Sequence, residues 1–321
     1  MNTDLDLYDD FVDGSPQGSV FCKSWWLKTV APDSWDILTV ENNGHLQAAS
    51  PIIKQRSILG DRVISEPPLT PYQGIMFMDL SDLKMETQIS RQRKWITQII
   101  DQLPDFDYYK VNYHHSFNYW LPLYWQGFNQ TTRYTYIIDD LSDLDMVWNG
   151  FRENIRREIR KAQKKQIKVT CSDDLQEFWD LNQKTFDRQG VGMIYDLEYL
   201  RRIDDICKQK GCRKIFFAVD DLGKIHAASY VIWDKHSAYY LLGGGDPQLR
   251  TSGAASLIMW ESIRAAAGVS KAFNFEGSMI KPVERFFSAF GAKPYPYYAI
   301  TKPNSLLRSF KYAFDTFRRS L

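Results

Sequence analysis

The residues with the clearest chemical content are Arg250-Thr251-Ser252-Gly253-Ala254-Ala255, which spell R-x-x-G-x-A at the expected start of a helix. Glycine and small residues there let backbone N–H groups approach a ligand, and those groups lack helical partners. The helix dipole adds partial positive charge at the same end, so such a turn can hold a pyrophosphate. A plain glycine turn capped by Ser252 would use the same residues without any ligand. The surrounding elements favour the ligand. A strand, Ala238–Leu242, runs into Gly243-Gly244-Gly245-Asp246-Pro247, and a helix with apolar Leu257, Met259, Trp260 and Ile263 starts near Ser252. A short strand, Ala272–Phe275, ends in Glu276-Gly277-Ser278. A second helix, Pro282–Ala289, then leads through Phe290-Gly291 into a last strand, Tyr295–Ile300.

Placed after a long strand, this loop resembles the [Q/R]-x-x-G-x-[G/A] acyl-CoA pyrophosphate loop of the GNAT N-acetyltransferase superfamily. The stretches Asn274–Ser278 and Phe286–Gly291 resemble the Fem-type branch. Those proteins join two GNAT-like folds in one chain, and the best known build peptidoglycan cross-bridges from aminoacyl-tRNA. The resemblance implies an α/β (α+β) fold of two tandem GNAT-like domains, each a mixed twisted sheet flanked by helices. It implies acyl-CoA, such as acetyl-CoA, as co-substrate, held by Leu242, Gly243, Arg250, Thr251, Ser252, Gly253, Ala254 and Ala255. A valine at Gly253 should then block the ligand while leaving the unliganded melting point within a few degrees. Fem enzymes that use tRNA typically carry F-K-x-x-F-G before the last strand. Here Phe287 stands at the lysine position, and no long coiled-coil insertion is present. Both departures favour acyl-CoA over aminoacyl-tRNA.

Moving an acyl group from a thioester to an amine needs a neutral amine, a stabilised oxyanion and a proton for the leaving thiolate. Backbone N–H groups near Leu242-Gly243 would serve the oxyanion. Glu276, ending the neighbouring strand, is the candidate base; capping a helix or pairing with a cation is its structural alternative. Tyr239, Tyr297 or Tyr298 could return the proton, with Tyr239 and Tyr298 the choices. Strand alternation sends Tyr297 and Tyr298 to opposite faces.

The chain repeats itself. Ile37–Ser50 and Phe216–Ser229 align without a gap, matching a valine, a glycine and an Ala-Ala-Ser triplet, and Asn112, Phe128, Tyr136 and Ile138 align with Asn274, Phe290, Tyr298 and Ile300. Two copies of one unit follow, with expected domains 1–140 and 141–301 and an amphipathic C-terminal helix over 302–321. The first copy has no R-x-x-G-x-A loop, so the donor site is expected in the second alone. Asn42-Asn43-Gly44 between apolar runs predicts a hairpin. Leu141–Gln166 reads as one long helical segment with a basic ridge at Arg152, Arg156, Arg160 and Lys164. The first three are candidate contacts for substrate phosphates, or else a solvated face balanced by Glu153 and Glu158. Tyr72 and Gln73, in the rigid Pro67–Gly74 loop, are further substrate candidates or core packing.

The 321 residues carry a net charge of +1, which gives no general pull toward nucleic acid; tRNA enters only under the alternative. Cys22, Cys171, Cys207 and Cys212 fit no metal spacing, adjacent His114-His115 make a poor metal pair, and no metal is expected. No signal peptide and no membrane span is read, so the expected location is cytoplasmic. The basic, aromatic helix over Ser305–Leu321 packs on the second domain or touches a membrane surface. Together these readings favour an N-acyltransferase acting from acyl-CoA on an amine of a cell-envelope or polysaccharide precursor. The alternatives are aminoacyl transfer from tRNA to a peptidoglycan precursor, and a catalytically inactive binding module.

Overall fold

The computed structural model describes residues 4–304 except Leu59, Val191 and Ser278; the expected C-terminal helix lies outside them. Two compact units form. One is Tyr134–Tyr295, and the other joins the chain up to Arg133 with the stretch resuming at Pro296.

The first unit begins with α1 (Leu5–Gly14), whose N-terminal N–H groups are capped by the Asp4 carboxylate. Only Tyr8 and Val12 of this helix are buried, one face at i, i+4 spacing within an acidic stretch. Helix α2 (Ser24–Val30) leads to β1 (Trp35–Asn42) and β2 (His45–Arg56). Asn43 and Gly44 both have positive φ, 51° and 77°, the turn that Asn-Gly favours in a two-residue hairpin. Strands β3 (Arg62–Ser65) and β4 (Met76–Phe77), helix α3 (Met85–Asp101), β5 (Tyr108–Asn112) and α4 (Leu121–Trp125) follow, then β6 (Asn129–Ile138), which enters the second unit at Tyr134.

The second unit continues with α5 (Leu144–Gly150), α6 (Glu153–Lys164), β7 (Lys168–Cys171), α7 (Leu175–Gln189) and α8 (Leu197–Gln209). Strands β8 (Arg213–Val219), β9 (Ile225–Trp233) and β10 (Ser237–Gly245) come next. Then follow α9 (Ala254–Ala266), β11 (Ala272–Asn274), α10 (Lys281–Ser288) and β12 (Lys293–Pro303). The single helix expected over Leu141–Gln166 is two helices. Phe151 is extended, with ψ 141°, and the Arg152 N–H bonds to the Ala289 carbonyl. Gly291 packs on the Gly150 backbone at a distance that leaves no room for a Cβ.

The main strand pairs match between the two units, while β4 beside β2 and β7 beside β8 have no counterparts among the described residues. β1–β2 and β8–β9 are antiparallel hairpins, each with a bulge near its turn. β2–β3 and β9–β10 are antiparallel, while β3–β5 and β10–β11 are parallel. The parallel partner lies in turn beside an antiparallel last strand, and these last strands are exchanged. Ile138 of β6 pairs with Phe273 of β11, and Ile300 of β12 pairs with Val111 of β5. The repeat aligns Ile138 with Ile300, so equivalent residues make equivalent pairs in the unit to which the other copy's sequence belongs. Each unit keeps its own core. Ile52, Trp95, Ile96, Tyr109 and Ile300 centre the first, and Ile155, Ile159, Leu257, Ile263, Phe273 and Phe290 the second.

Candidate active site

Strands β10 and β11 pair in parallel over three positions only: Ser237 with Ala272, Ala238 with Phe273 and Tyr239 with Asn274. β10 continues to Gly245, still paired with β9. β11 instead ends in a turn where Glu276 has φ 56°. The sheet therefore opens at the carboxyl ends of two parallel strands, the usual place for a ligand in such sheets. A bulge between Tyr240 and Leu242 gives Leu241 no partner residue in β9; bulges re-aim the side chains beside them. Glycines suit the strand beyond it. A Cβ on Gly244 would lie 2.8 Å from the Asn182 nitrogen of α7. Buried Asn182 donates to the Gly243 carbonyl at 2.7 Å and accepts from the Tyr195 hydroxyl at 3.1 Å, while the Gly245 N–H donates to Thr185 Oγ1 at 3.0 Å. Helix α7 thus satisfies the outer backbone of β10.

The R-x-x-G-x-A stretch is a short 3₁₀ turn, Arg250–Ser252, followed by Gly253 at φ 88° as the N-cap of α9, with no side-chain cap. Ser252 does not cap that helix in the ordinary way; its hydroxyl accepts the Ala254 N–H at 3.3 Å. The Gly253 carbonyl takes the N–H groups of Ser256 and Leu257. Arg250, Thr251 and Ala255 are exposed, and Ser252, Gly253 and Ala254 are buried. The Cβ side of Gly253 faces the α6 backbone, 2.2 Å from the Glu158 carbonyl oxygen. This corrects the expectation for a valine there: the substitution strikes helix packing before it reaches any ligand.

Glu276 is half-buried at the end of β11, and its N–H donates to Asn274 Oδ1, which also accepts from Thr135 Oγ1 at 2.6 Å. It lies two residues beyond Asn274, the last β11 residue paired with β10. The neighbouring Gly277 comes so close to the Tyr134 carbonyl that a Cβ would sit 1.9 Å from its oxygen. Tyr239 lies at the other end of β10, its hydroxyl donating to Asp234 at 3.1 Å. At about 3.3 Å per residue that is roughly 13 Å of strand short of Gly243. Tyr298 belongs to the first unit, packed on its core near Trp120. Tyr297 turns the other way, edge-on to Tyr72 with ring centroids 5.3 Å apart.

The equivalent gap in the first unit is filled. After Ser65 the chain continues parallel to β5 as far as a bridge between Gln73 and Tyr113: the Glu66 carboxylate accepts the Asn112 N–H, the Asn112 side chain donates to the Pro71 carbonyl, and the Gln73 N–H donates to the Asn112 carbonyl. Gly74, at φ 97°, packs on the Tyr113 ring. Tyr72 and Gln73 are only 1% and 3% exposed and act as part of this plug. Burial is the largest influence on Glu66 and pushes its carboxyl up to about 7, against the Asn112 hydrogen bond that lowers it. The folded state therefore holds this proton more tightly than the unfolded chain, and stability from it is lost as pH rises from about 4.5 through 7. Glu66→Gln should flatten that decline in urea midpoints taken between pH 5 and 8; an unchanged slope would show that Glu66 is ionised throughout.

Residues 149–275 match the family model described as an acetyltransferase (GNAT) domain. The structure is similar over 93% of this chain and 96% of the other to the crystal structure of FemX, at 15% identity and a TM-score of 0.72. The chain has the GNAT fold. It is also similar to a tandem GNAT protein from the clavulanic acid biosynthesis pathway, with 11% identity, 93% of each chain covered and a TM-score of 0.53. A third similar structure is the C-terminal domain of a putative lysylphosphatidylglycerol synthetase from Agrobacterium fabrum, with 12% identity, 97% and 95% covered and a TM-score of 0.57. No curated protein sequence matches at a significant level.

Within this GNAT fold the basic ridge is less uniform than its spacing suggests. Arg152 is the residue before α6, not part of it. Arg156 donates to Glu153 and to the Trp148 and Asn149 carbonyls, closing the end of α5, and Arg160 shares Glu153 at 3.0 Å. A cavity of about 800 Å³ lies in the first unit among Ile53, Lys54, Arg62, Pro67, Pro68 and Phe106; it touches the start of the Pro67–Gly74 loop but is lined by none of the candidate site residues. Asn182, Thr185 and Tyr240 were not legible beforehand, because each matters only through the strand that folding brings against it.

Proposed function

We propose that the chain is an N-acyltransferase that moves an acyl group from acyl-CoA to an amine of a cell-envelope or polysaccharide precursor. The observation that carries this reading is the opening between β10 and β11, level with the bulge and followed by a glycine-capped helix start. The pyrophosphate would lie against the exposed side of Arg250, Thr251 and Ala255, where the first-turn Ala255 N–H meets no capping side chain. Glu276 would take the proton of the attacking amine. Arg152 and Arg160, whose side chains reach the surface, would contact acceptor phosphates. The acceptor class draws on the likeness to FemX and to the putative lysylphosphatidylglycerol synthetase, and the same likeness supports aminoacyl transfer from tRNA as a second reading.

Acetyl-CoA at about 100 times its Kd should stabilise the protein by roughly 2.7 kcal/mol, a shift of several degrees in a thermal melt. No shift with any acyl-CoA, together with binding of aminoacyl-tRNA, would replace this reading by the second. Binding of neither would leave a non-catalytic module.

A further inference from the structure

Tyr240 is the first residue of β10 beyond the part paired with β11. Its ring stands edge-on to Phe287, with centroids 6.0 Å apart and planes at 76°, and it packs on the second unit's core. Its hydroxyl lies across Gly243, so close that a Cβ on that glycine would sit 1.6 Å from the phenolic oxygen. The bulge makes this possible, since it brings Gly243 onto the face that Tyr240 occupies. Other tyrosines of this unit have hydroxyl partners: Tyr136 donates to Glu284, Tyr195 to Asn182, Tyr230 to Asp204 and Tyr239 to Asp234. Tyr240 has no such partner among the described residues. Tyr240 is half-buried at the opening, and a bound carbonyl oxygen there would give its hydroxyl the acceptor it lacks within the protein. Burial pushes this phenol up to about 12, so it stays protonated and able to donate at neutral pH.

We propose that Tyr240 is a catalytic residue, its hydroxyl donating a hydrogen bond to the oxyanion that forms at the acyl carbonyl beside Gly243. The assignment rests on the acyl-CoA reading above. The amine lone pair forms the C–N bond while the carbonyl π pair moves onto oxygen, where the Tyr240 hydrogen bond meets it. The nitrogen loses its proton to the Glu276 carboxylate. The oxygen pair then re-forms the carbonyl, the C–S bond breaks, and the thiolate takes that proton, giving amide and free thiol. Tyr240 neither gains nor loses a proton.

The test is Tyr240→Phe in the full chain, following thiol release from acetyl-CoA with hydroxylamine as acceptor and subtracting the uncatalysed rate. Removing one oxyanion donor should lower kcat about 100-fold. The KM for acetyl-CoA should stay within about twofold, and the melting point should be unchanged or higher, because the ring and its Phe287 contact remain. Gly243→Ala keeps the phenol but pushes it from its place, and the same loss of kcat is expected; this variant decides the matter if Tyr240→Phe fails to fold. Turnover of Tyr240→Phe within about threefold of wild type overturns the proposal while leaving the acyl-CoA reading standing. Wild-type protein that neither binds acetyl-CoA nor speeds thiol release overturns both.

Discussion

Gly253→Ala should destabilise the protein by about 2–5 kcal/mol without any ligand present. Two costs add. Gly253 has φ 88°, and a side chain in left-handed backbone costs about 1–2 kcal/mol. The new Cβ would also lie 2.2 Å from the Glu158 carbonyl oxygen and 3.3 Å from the Ala162 nitrogen. Both neighbours are main chain of α6, which can yield only by moving the helix, and overpacking of this kind costs about 1–3 kcal/mol. Gly223→Ala separates the two terms: Gly223 has φ 79° with nothing within 4 Å of its Cβ position, so only the backbone cost, about 1–2 kcal/mol, applies. Urea unfolding of both variants measures the difference. Equal losses would mean that α6 gives way freely and that the glycine is held for its backbone angle alone. Ligand tests at this turn should therefore use changes at the exposed Thr251 or Ala255.

Asp204→Ala should cost about 3–5 kcal/mol, the scale for removing one partner of a buried ion pair. Asp204 is 5% exposed. Arg213 approaches it at 2.9 Å, and the Tyr230 hydroxyl donates to it at 2.7 Å. Removing the carboxylate leaves a guanidinium with a nearly buried side chain, still touching the more exposed Asp173, and a buried phenol without its acceptor. Replacing Arg213 with methionine in the same protein removes the stranded charge, so the double variant Asp204→Ala, Arg213→Met should recover much of the loss. A double variant that is worse than the single by the full cost of Arg213→Met would show that the two side chains act independently.

Local chemistry explains the features legible from residue order alone. Asn43-Gly44 sets the β1–β2 turn because both residues tolerate positive φ. The apolar stripe Ile155, Ile159 and Ala162 sets the buried face of α6. The gapless repeat marks two copies of one pairing scheme, and the R-x-x-G-x-A spacing marks the start of α9. Tertiary structure decided the rest, because it depends on what non-neighbouring strands and helices meet. Spacing of four made Arg156 look like ridge surface, whereas the break at Phe151 turns its guanidinium onto the last carbonyls of α5. Gly253 reads as room for a ligand until α6 is packed against it. Exchange of β6 and β12 cannot be read from pattern, since Ile138 and Ile300 satisfy either copy's sheet equally well. Tyr240 looked like one more core tyrosine. Only the bulge, Gly243 and the divergence of β11 bring its hydroxyl to the opening, and each of those arises from pairing between residues distant in the chain.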